Sequence, residues 1–262
     1  MDKSNFKLGK AFIVIVIIAT AILTVLCINN KGFSFTSKEG YLVEDVMLQS
    51  KGGQDIYYAC KGEDVIVSQS FDDGTCFVSI NDKIGYINKN AVSFDDIEIP
   101  SICKGTGVNQ GIIKEVNKQL LVIPEDMRDL FINSGWSMVV TSEDLNEKYY
   151  NGEFREVLGS TSYENSEISI SDSLQAADDA TLHEFGHWVD WYLNSPSDSE
   201  VFKEIYNKEQ ENFYSKFNLS MHWNEKEFFA EAFDRFYTDR IRLEKVAPEL
   251  YSYMASALHD LS

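Results

Sequence analysis

Leu174-Gln-Ala-Ala-Asp-Asp-Ala-Thr-Leu-His-Glu-Phe-Gly-His-Trp-Val-Asp-Trp-Tyr192 is the stretch from which the rest of the chain is read. Leu174, Ala177, Thr181, Phe185, Trp188 and Trp191 or Tyr192 recur at roughly helical spacing, so the segment is expected to be a helix with one apolar stripe. On that helix His183 and His187 are i and i+4 and project from the same face. Two imidazoles one turn apart can share a single zinc ion, and Glu184, beside the first of them, can reach a water on that ion. A carboxylate so placed can take the water's proton and later pass it to a leaving amine. Two histidines on one helical face also occur as ordinary core or surface residues. The chain has only four histidines, however, and two of them stand at this spacing.

Downstream, Asn224-Glu-Lys-Glu-Phe-Phe-Ala-Glu-Ala-Phe-Asp-Arg-Phe236 repeats the i, i+4 device with Glu227 and Glu231, flanked by Phe228, Phe229 and Ala232. Carboxylates on an apolar face are costly unless paired or bound to a metal. A metal site uses one carboxylate as a third ligand and another to accept the free N–H of a ligating histidine. The plainer alternative is a solvated helix whose glutamates pair with Lys226 or Arg235.

The two segments together resemble the catalytic domain of anthrax lethal factor and the related secreted Pro-Pro endopeptidases, from about Asn109 to the end of the chain. The resemblance implies a zincin-like α+β fold, one zinc ion per chain, His183, His187 and Glu227 as ligands, and Glu184 as general base. It makes Glu231 the group behind the ligands, with the exchange of Glu227 and Glu231 left open. Asp190, one turn after His187, is a further candidate for that outer position, or a surface aspartate. The family usually has a tyrosine seven residues before the glutamate ligand, aimed at the oxyanion of the tetrahedral intermediate; this chain has Ser220 there. His222 is the first candidate to replace it, Tyr214 the second, and Trp223 is expected to line the pocket. A lost oxyanion donor costs roughly 3 to 4 kcal/mol of transition-state stabilisation.

Texture along the chain supplies the surroundings. Gln110 to Gln119 and Pro124 to Asn133 read as helices; Trp136 to Thr141, Glu156 to Tyr163 and Glu167 to Ser171 read as strands. After Asp172 the chain is helical, with breaks near Pro196, residues 219–224 and Pro248. Glu167 to Ser171, just before the helix with the histidine pair, is expected to be the edge strand that pairs with an extended peptide. From Tyr41 to Asp95, short strands alternate with turn signals at Asp72-Asp-Gly74 and Asn81-Asp-Lys83. Ile56-Tyr-Tyr-Ala-Cys-Lys-Gly-Glu-Asp-Val65 and Lys83-Ile-Gly-Tyr-Ile87 resemble bacterial Src-homology-3-like domains, which implies a separate small all-β barrel able to bind cell-wall peptide or to act as a spacer.

Near the start, Lys3, Lys7 and Lys10 precede an uncharged run from Ala11 to Ile28 that would span roughly 27 Å as a helix. This predicts a cytoplasmic tail over 1–10, a transmembrane helix over 11–28 and everything later outside the membrane, with a cleaved signal peptide as the alternative. The remaining boundaries follow: linker 29–40, barrel 41–95, linker 96–108, peptidase domain 109–262. Cys60 and Cys76 are the expected disulfide pair if one forms. A net charge of −19 leaves no basic face for nucleic acid. The expected partners are therefore a protein or peptide substrate, with a non-catalytic zincin-like wall-binding protein as the alternative function.

Overall fold

The computed structural model describes residues 37–59, 61–95, 101–219 and 224–261. The helix carrying the histidine pair lies on a four-stranded sheet. That sheet is built from β8 (Cys103–Lys104), β9 (Ser137–Thr141), β10 (Gly159–Ser162) and β11 (Glu167–Ser171), in the order β10-β11-β9-β8; the numbering leaves β1 to β7 for the N-terminal strands. β8, β9 and β11 run parallel, and β10 is antiparallel to β11. Ile168, Ser169 and Ile170 are all buried, as expected for an inner strand covered on both faces. β11 is therefore not the edge: β10 is, which corrects the expectation for Glu167 to Ser171.

Eight helices complete this half among the described residues: α1 (Gln110–Gln119), α2 (Glu125–Asn133), α3 (Leu145–Tyr150), α4 (Leu174–Tyr192), α5 (Glu200–Phe217), α6 (Glu225–Thr238), α7 (Arg240–Val246) and α8 (Pro248–Leu258). α4 packs against β10, β11, α1 and α6. The core is unusually aromatic: Phe131, Phe185, Trp188, Phe202, Phe213, Phe228, Phe229 and Phe233 are almost fully buried. Burying rings of this size contributes roughly 1.5 to 3 kcal/mol each before the entropy of ordering them. Asn117 ties α1 to the sheet. Its Oδ1 accepts from the backbone N–H groups of Ile102 and Cys103, and its Nδ2 donates to Cys103 O and Ile113 O.

The N-terminal strands are β1 (Lys38–Leu42), β2 (Val46–Gln49), β3 (Asp55–Ala59), β4 (Asp64–Ser70), β5 (Thr75–Ile80), β6 (Lys83–Asn88) and β7 (Val92–Ser93). They form one antiparallel sheet in the order β3-β2-β6-β5-β4-β1-β7, around a core that includes Leu42, Leu48, Val65, Val78 and Ile87. Two places expected to be linker are strand instead: β1 begins at Lys38, and β8 lies inside 96–108. The glycines after Cys103 read as linker, yet Gly105 is needed where the chain presses on Val140 O.

Three parts of the expected fold are corrected. The β-strands are not a separate domain, because Lys38–Ser262 is one compact unit. Gly62 (φ 95°) lies so close to Leu121 that a Cβ there would stand 2.7 Å from the leucine Cβ. Lys61 pairs with Glu125 at 3.2 Å, Lys118 pairs with Asp64, and Arg240 stacks over Tyr58 at 5.1 Å. The transmembrane helix, and with it the single-pass membrane placement, is also corrected. No helix of the described residues is long and apolar enough to cross a membrane, and residues 11–28 lie outside those described. Finally, Cys76 is a buried free thiol; Cys60 is outside the described residues.

Candidate metal centre

α4 starts where Ser173 Oγ accepts from the N–H of Ala176 at 3.0 Å, a serine N-cap. α6 starts where Asn224 Oδ1 accepts from the N–H groups of Lys226 and Glu227. That cap places Glu227 in the first turn of α6, where the helix dipole favours a carboxylate.

The two helices meet at Gly186. A Cβ on Gly186 would stand 2.9 Å from Ala230 Cα and 3.1 Å from both Ala230 O and Phe233 Cβ. Gly186 lies between the two histidines in sequence, and Ala230 lies between the two glutamates. This crossing therefore brings the pairs together. His183 Nε2 lies 3.1 Å from Glu227 Oε2 and 3.2 Å from His187 Nε2, and His187 Nε2 lies 3.5 Å from Glu227 Oε1. The second glutamate faces the other ring nitrogen: Glu231 Oε1 is 3.4 Å from His183 Nδ1, an ion-pair distance, longer than a good hydrogen bond. Arg235 NH2 stands 3.6 Å from Glu231 Oε2 and its guanidinium stacks on Phe217.

The donor set fits a metal ion. An ion held at about 2.0 to 2.1 Å by three donors at tetrahedral angles separates those donors by roughly 3.3 Å. His183 Nε2 lies near that distance from both His187 Nε2 (3.2 Å) and Glu227 Oε2 (3.1 Å), while His187 Nε2 meets the other oxygen of the same carboxylate, Oε1, at 3.5 Å. If His183 keeps its proton on Nδ1, facing Glu231, its Nε2 lone pair meets the Glu227 carboxylate, which only accepts; a cation or a proton between them relieves the clash. The protonation balance follows the same geometry. Burial works against charge on His183, but the Glu227 and Glu231 carboxylates outweigh it and raise its pKa well above the usual value. Burial likewise works against charge on Glu227 and Glu231, and is outweighed by the histidines, so both carboxyls are held below the usual range.

Glu184 lies on the side of α4 that faces the edge strand. Thr161 Oγ1 donates to Glu184 Oε2 at 2.6 Å and sits 3.1 Å from the backbone oxygen of the same residue. Gly159 allows this approach, since a Cβ there would stand 2.6 Å from Glu184 Cγ. The residues around the site line a cleft of about 650 Å³, with β10 and Tyr163 among its walls, together with Tyr150, Tyr214 and Leu219.

Of the residues read from the sequence, His183, His187, Glu227, Glu231 and Glu184 converge on this cleft. Asp190 does not: it is buried and both its oxygens are engaged by Ser197, whose N–H donates to Oδ1 at 2.9 Å and whose hydroxyl donates to Oδ2 at 2.7 Å. Tyr214 lines the cleft and is buried, and burial together with the Glu231 and Glu227 charges raises its phenol pKa. Ser220, His222 and Trp223 lie outside the described residues. Arg235, expected as a partner for the glutamates, stands one turn from Glu231 on α6; Gly159, Thr161 and Gly186 gave no sequence signal. Each acts across a contact between elements, which residue type and spacing do not encode.

No curated protein matches the chain. Among solved structures, the Pro-Pro endopeptidase PPEP-2 from Paenibacillus alvei is similar at 20% identity, covering 59% of this chain and 96% of that chain, with a TM-score of 0.47. Residues 142–257, which hold β10, β11 and all five converging residues, match the family described as anthrax toxin lethal factor, N- and C-terminal domain. The match spans 116 of the 262 residues, less than half of the chain.

Proposed function

We propose that this protein is a zinc-dependent endopeptidase. The observation that carries the reading is the convergence of His183 Nε2, His187 Nε2 and the Glu227 carboxylate, whose Oε2 lies 3.1 Å from the first and Oε1 3.5 Å from the second, with Glu184 beside them in an open cleft. His183, His187 and Glu227 would hold the ion, and Glu231 would fix the His183 ring through Nδ1. A zinc ion bound there supplies a Lewis acid that polarises a carbonyl and makes water acidic near neutral pH.

The chain's own groups account for the remaining steps. Glu184 takes the proton of the attacking water as general base and delivers it to the departing amine as general acid. Thr161 holds one carboxylate oxygen and leaves the other free for the water. The outer edge of β10 offers unpaired backbone groups to an extended peptide, which gives affinity with little dependence on side chains. His222 is the proposed donor to the oxyanion, in place of the tyrosine that Ser220 replaces.

The test is metal analysis of the purified protein together with a mixed peptide library. The wild type should hold about one zinc per chain and cleave. Glu184→Gln should keep the ion and lose about 10²- to 10⁴-fold in rate, the usual contribution of a positioned base. A wild-type protein without zinc, or a Glu184→Gln variant that cleaves at the wild-type rate, overturns the reading.

A further inference from the structure

The cleft differs in charge from one end to the other. Where β10 begins, its wall includes Phe154 and Glu156, from the segment leading into the strand, and Asp179 of α4. Gly159 joins the two elements there: a Cβ on it would stand 2.9 Å from the Cβ of Ala180, the neighbour of Asp179 in sequence. Asp179 precedes His183 by four residues, so it shares the histidine face of α4, one turn or roughly 6 Å away. Glu156 and Asp179 are exposed, and neither has an ion-pair or hydrogen-bond partner among the described residues. The ring of Phe154 is 36% exposed and stands edge-on to Tyr150, also on the cleft wall, with centroids 5.0 Å apart at 88°. Asn146 fixes that residue: its Oδ1 accepts from the Phe154 N–H at 3.0 Å, and its Nδ2 donates to the Phe154 backbone oxygen. Among the described residues, Lys226 is the one lysine or arginine on the wall. It is at the other end, paired at 3.5 Å with Asp198, beyond the C-terminus of α4. Arg155 is exposed and is not part of the wall.

We propose that Phe154, Glu156 and Asp179 together receive a lysine or arginine side chain of the peptide substrate, two or three residues after the bond that is cut. The proposal rests on the endopeptidase reading and adds the class of substrate. The position follows from β10. Gly159 and Thr161 lie against Glu184, which marks where the reacting bond must sit. Antiparallel pairing is the more stable way to extend a sheet edge, and a peptide so paired runs from the Ser162 end of β10 towards Gly159. Its residues after the cut bond pass Gly159 and approach Glu156, three residues earlier in the chain and roughly 10 Å away at full extension. The chemistry follows from the side chains. An ammonium or guanidinium gains from the face of an aromatic ring and from open carboxylates, while its aliphatic stem lies along the ring. Each exposed ion pair is weak by itself, so the preference needs the ring and both carboxylates acting on one side chain. The part-exposed ring, held by Asn146 inside the substrate cleft, separates this place from the rest of a surface that is acidic everywhere.

The experiment profiles cleavage sites in a mixed peptide library by mass spectrometry, using the full chain as wild type, Glu156→Gln, Asp179→Asn and Phe154→Leu. Glu204→Gln, an exposed acid of α5 outside this cleft, is the control. Zinc content and circular dichroism are measured in parallel. The wild type should favour lysine or arginine two or three positions after the cut. Paired peptides with lysine or glutamine at that position should differ in kcat/KM by about tenfold, mainly through KM, and by less when salt is raised to about 0.5 M. Glu156→Gln and Asp179→Asn should each cut that ratio about threefold, and Phe154→Leu should lower it while leaving its salt dependence. Glu204→Gln should leave the ratio intact, which separates a local contact from steering by the net charge. The two carboxylates are exposed, so their amide variants should fold and hold zinc. A wild-type enzyme that cleaves without this preference or shows it only before the cut, or Glu156 and Asp179 variants that keep it, overturns the subsite and leaves the peptidase reading standing. A zinc-loaded wild type that cleaves nothing overturns both.

Discussion

Replacing Gly186 by alanine adds one methyl group at the point where α4 crosses α6. The new carbon would stand 2.9 Å from Ala230 Cα and 3.1 Å from Ala230 O. Both are backbone atoms, so no side-chain rotation can relieve the contact. Restoring an ordinary carbon–carbon separation of about 3.5 to 4.0 Å requires the helices to part by roughly 0.6 to 1.1 Å. Two opposed terms then set the stability. Alanine in place of glycine inside a helix gains about 1 kcal/mol, while overpacking costs about 1 to 3 kcal/mol. The net change should be a loss between about 0 and 2 kcal/mol, so the fold survives. The metal centre should not, because ligand distances are held to about 0.2 Å and the separation of His183 from Glu227 depends on this crossing. We expect Gly186→Ala to lose at least tenfold in zinc affinity, measured by competition with a chromophoric chelator, with chemical denaturation of the metal-free protein as the stability control. A Gly186→Ala protein that is about 1 kcal/mol more stable and binds zinc as tightly as the wild type would refute the argument that this crossing assembles the site.

Two further substitutions test other contacts. Thr161→Val removes the hydroxyl that donates to Glu184 at 2.6 Å. A hydrogen bond to a charged group is worth about 1.5 to 3 kcal/mol, so cleavage should slow by roughly ten- to a hundredfold with zinc content unchanged, and Thr161→Ser should recover most of the rate; equal rates for valine and wild type would remove Thr161 from the mechanism. Asn117→Leu leaves the N–H groups of Ile102 and Cys103 buried without their acceptor. Denaturant titration should show a loss of about 2 to 5 kcal/mol, and a change under 1 kcal/mol would mean that β8 does not depend on this link.

The sequence by itself determined the local devices of this protein. Helical periodicity placed His183 and His187 on one face of α4 and Glu227 and Glu231 on one face of α6. It also bounded α1 at Gln110 and Gln119, because such features depend only on residues within a turn of one another. Only the tertiary structure decided which faces meet. The near-contact of Gly186 with Ala230, the hydroxyl of Thr161 on Glu184 and the place of β10 at the sheet edge are long-range, and spacing along the chain carries no record of them. β8 was hidden for the same reason, since two residues beside glycines read as a loop until parallel pairing with β9 and the side chain of Asn117 hold them in the sheet. Residue type and period thus supplied the chemistry of each helix face. Close packing at one glycine supplied the distances that make those faces a single site.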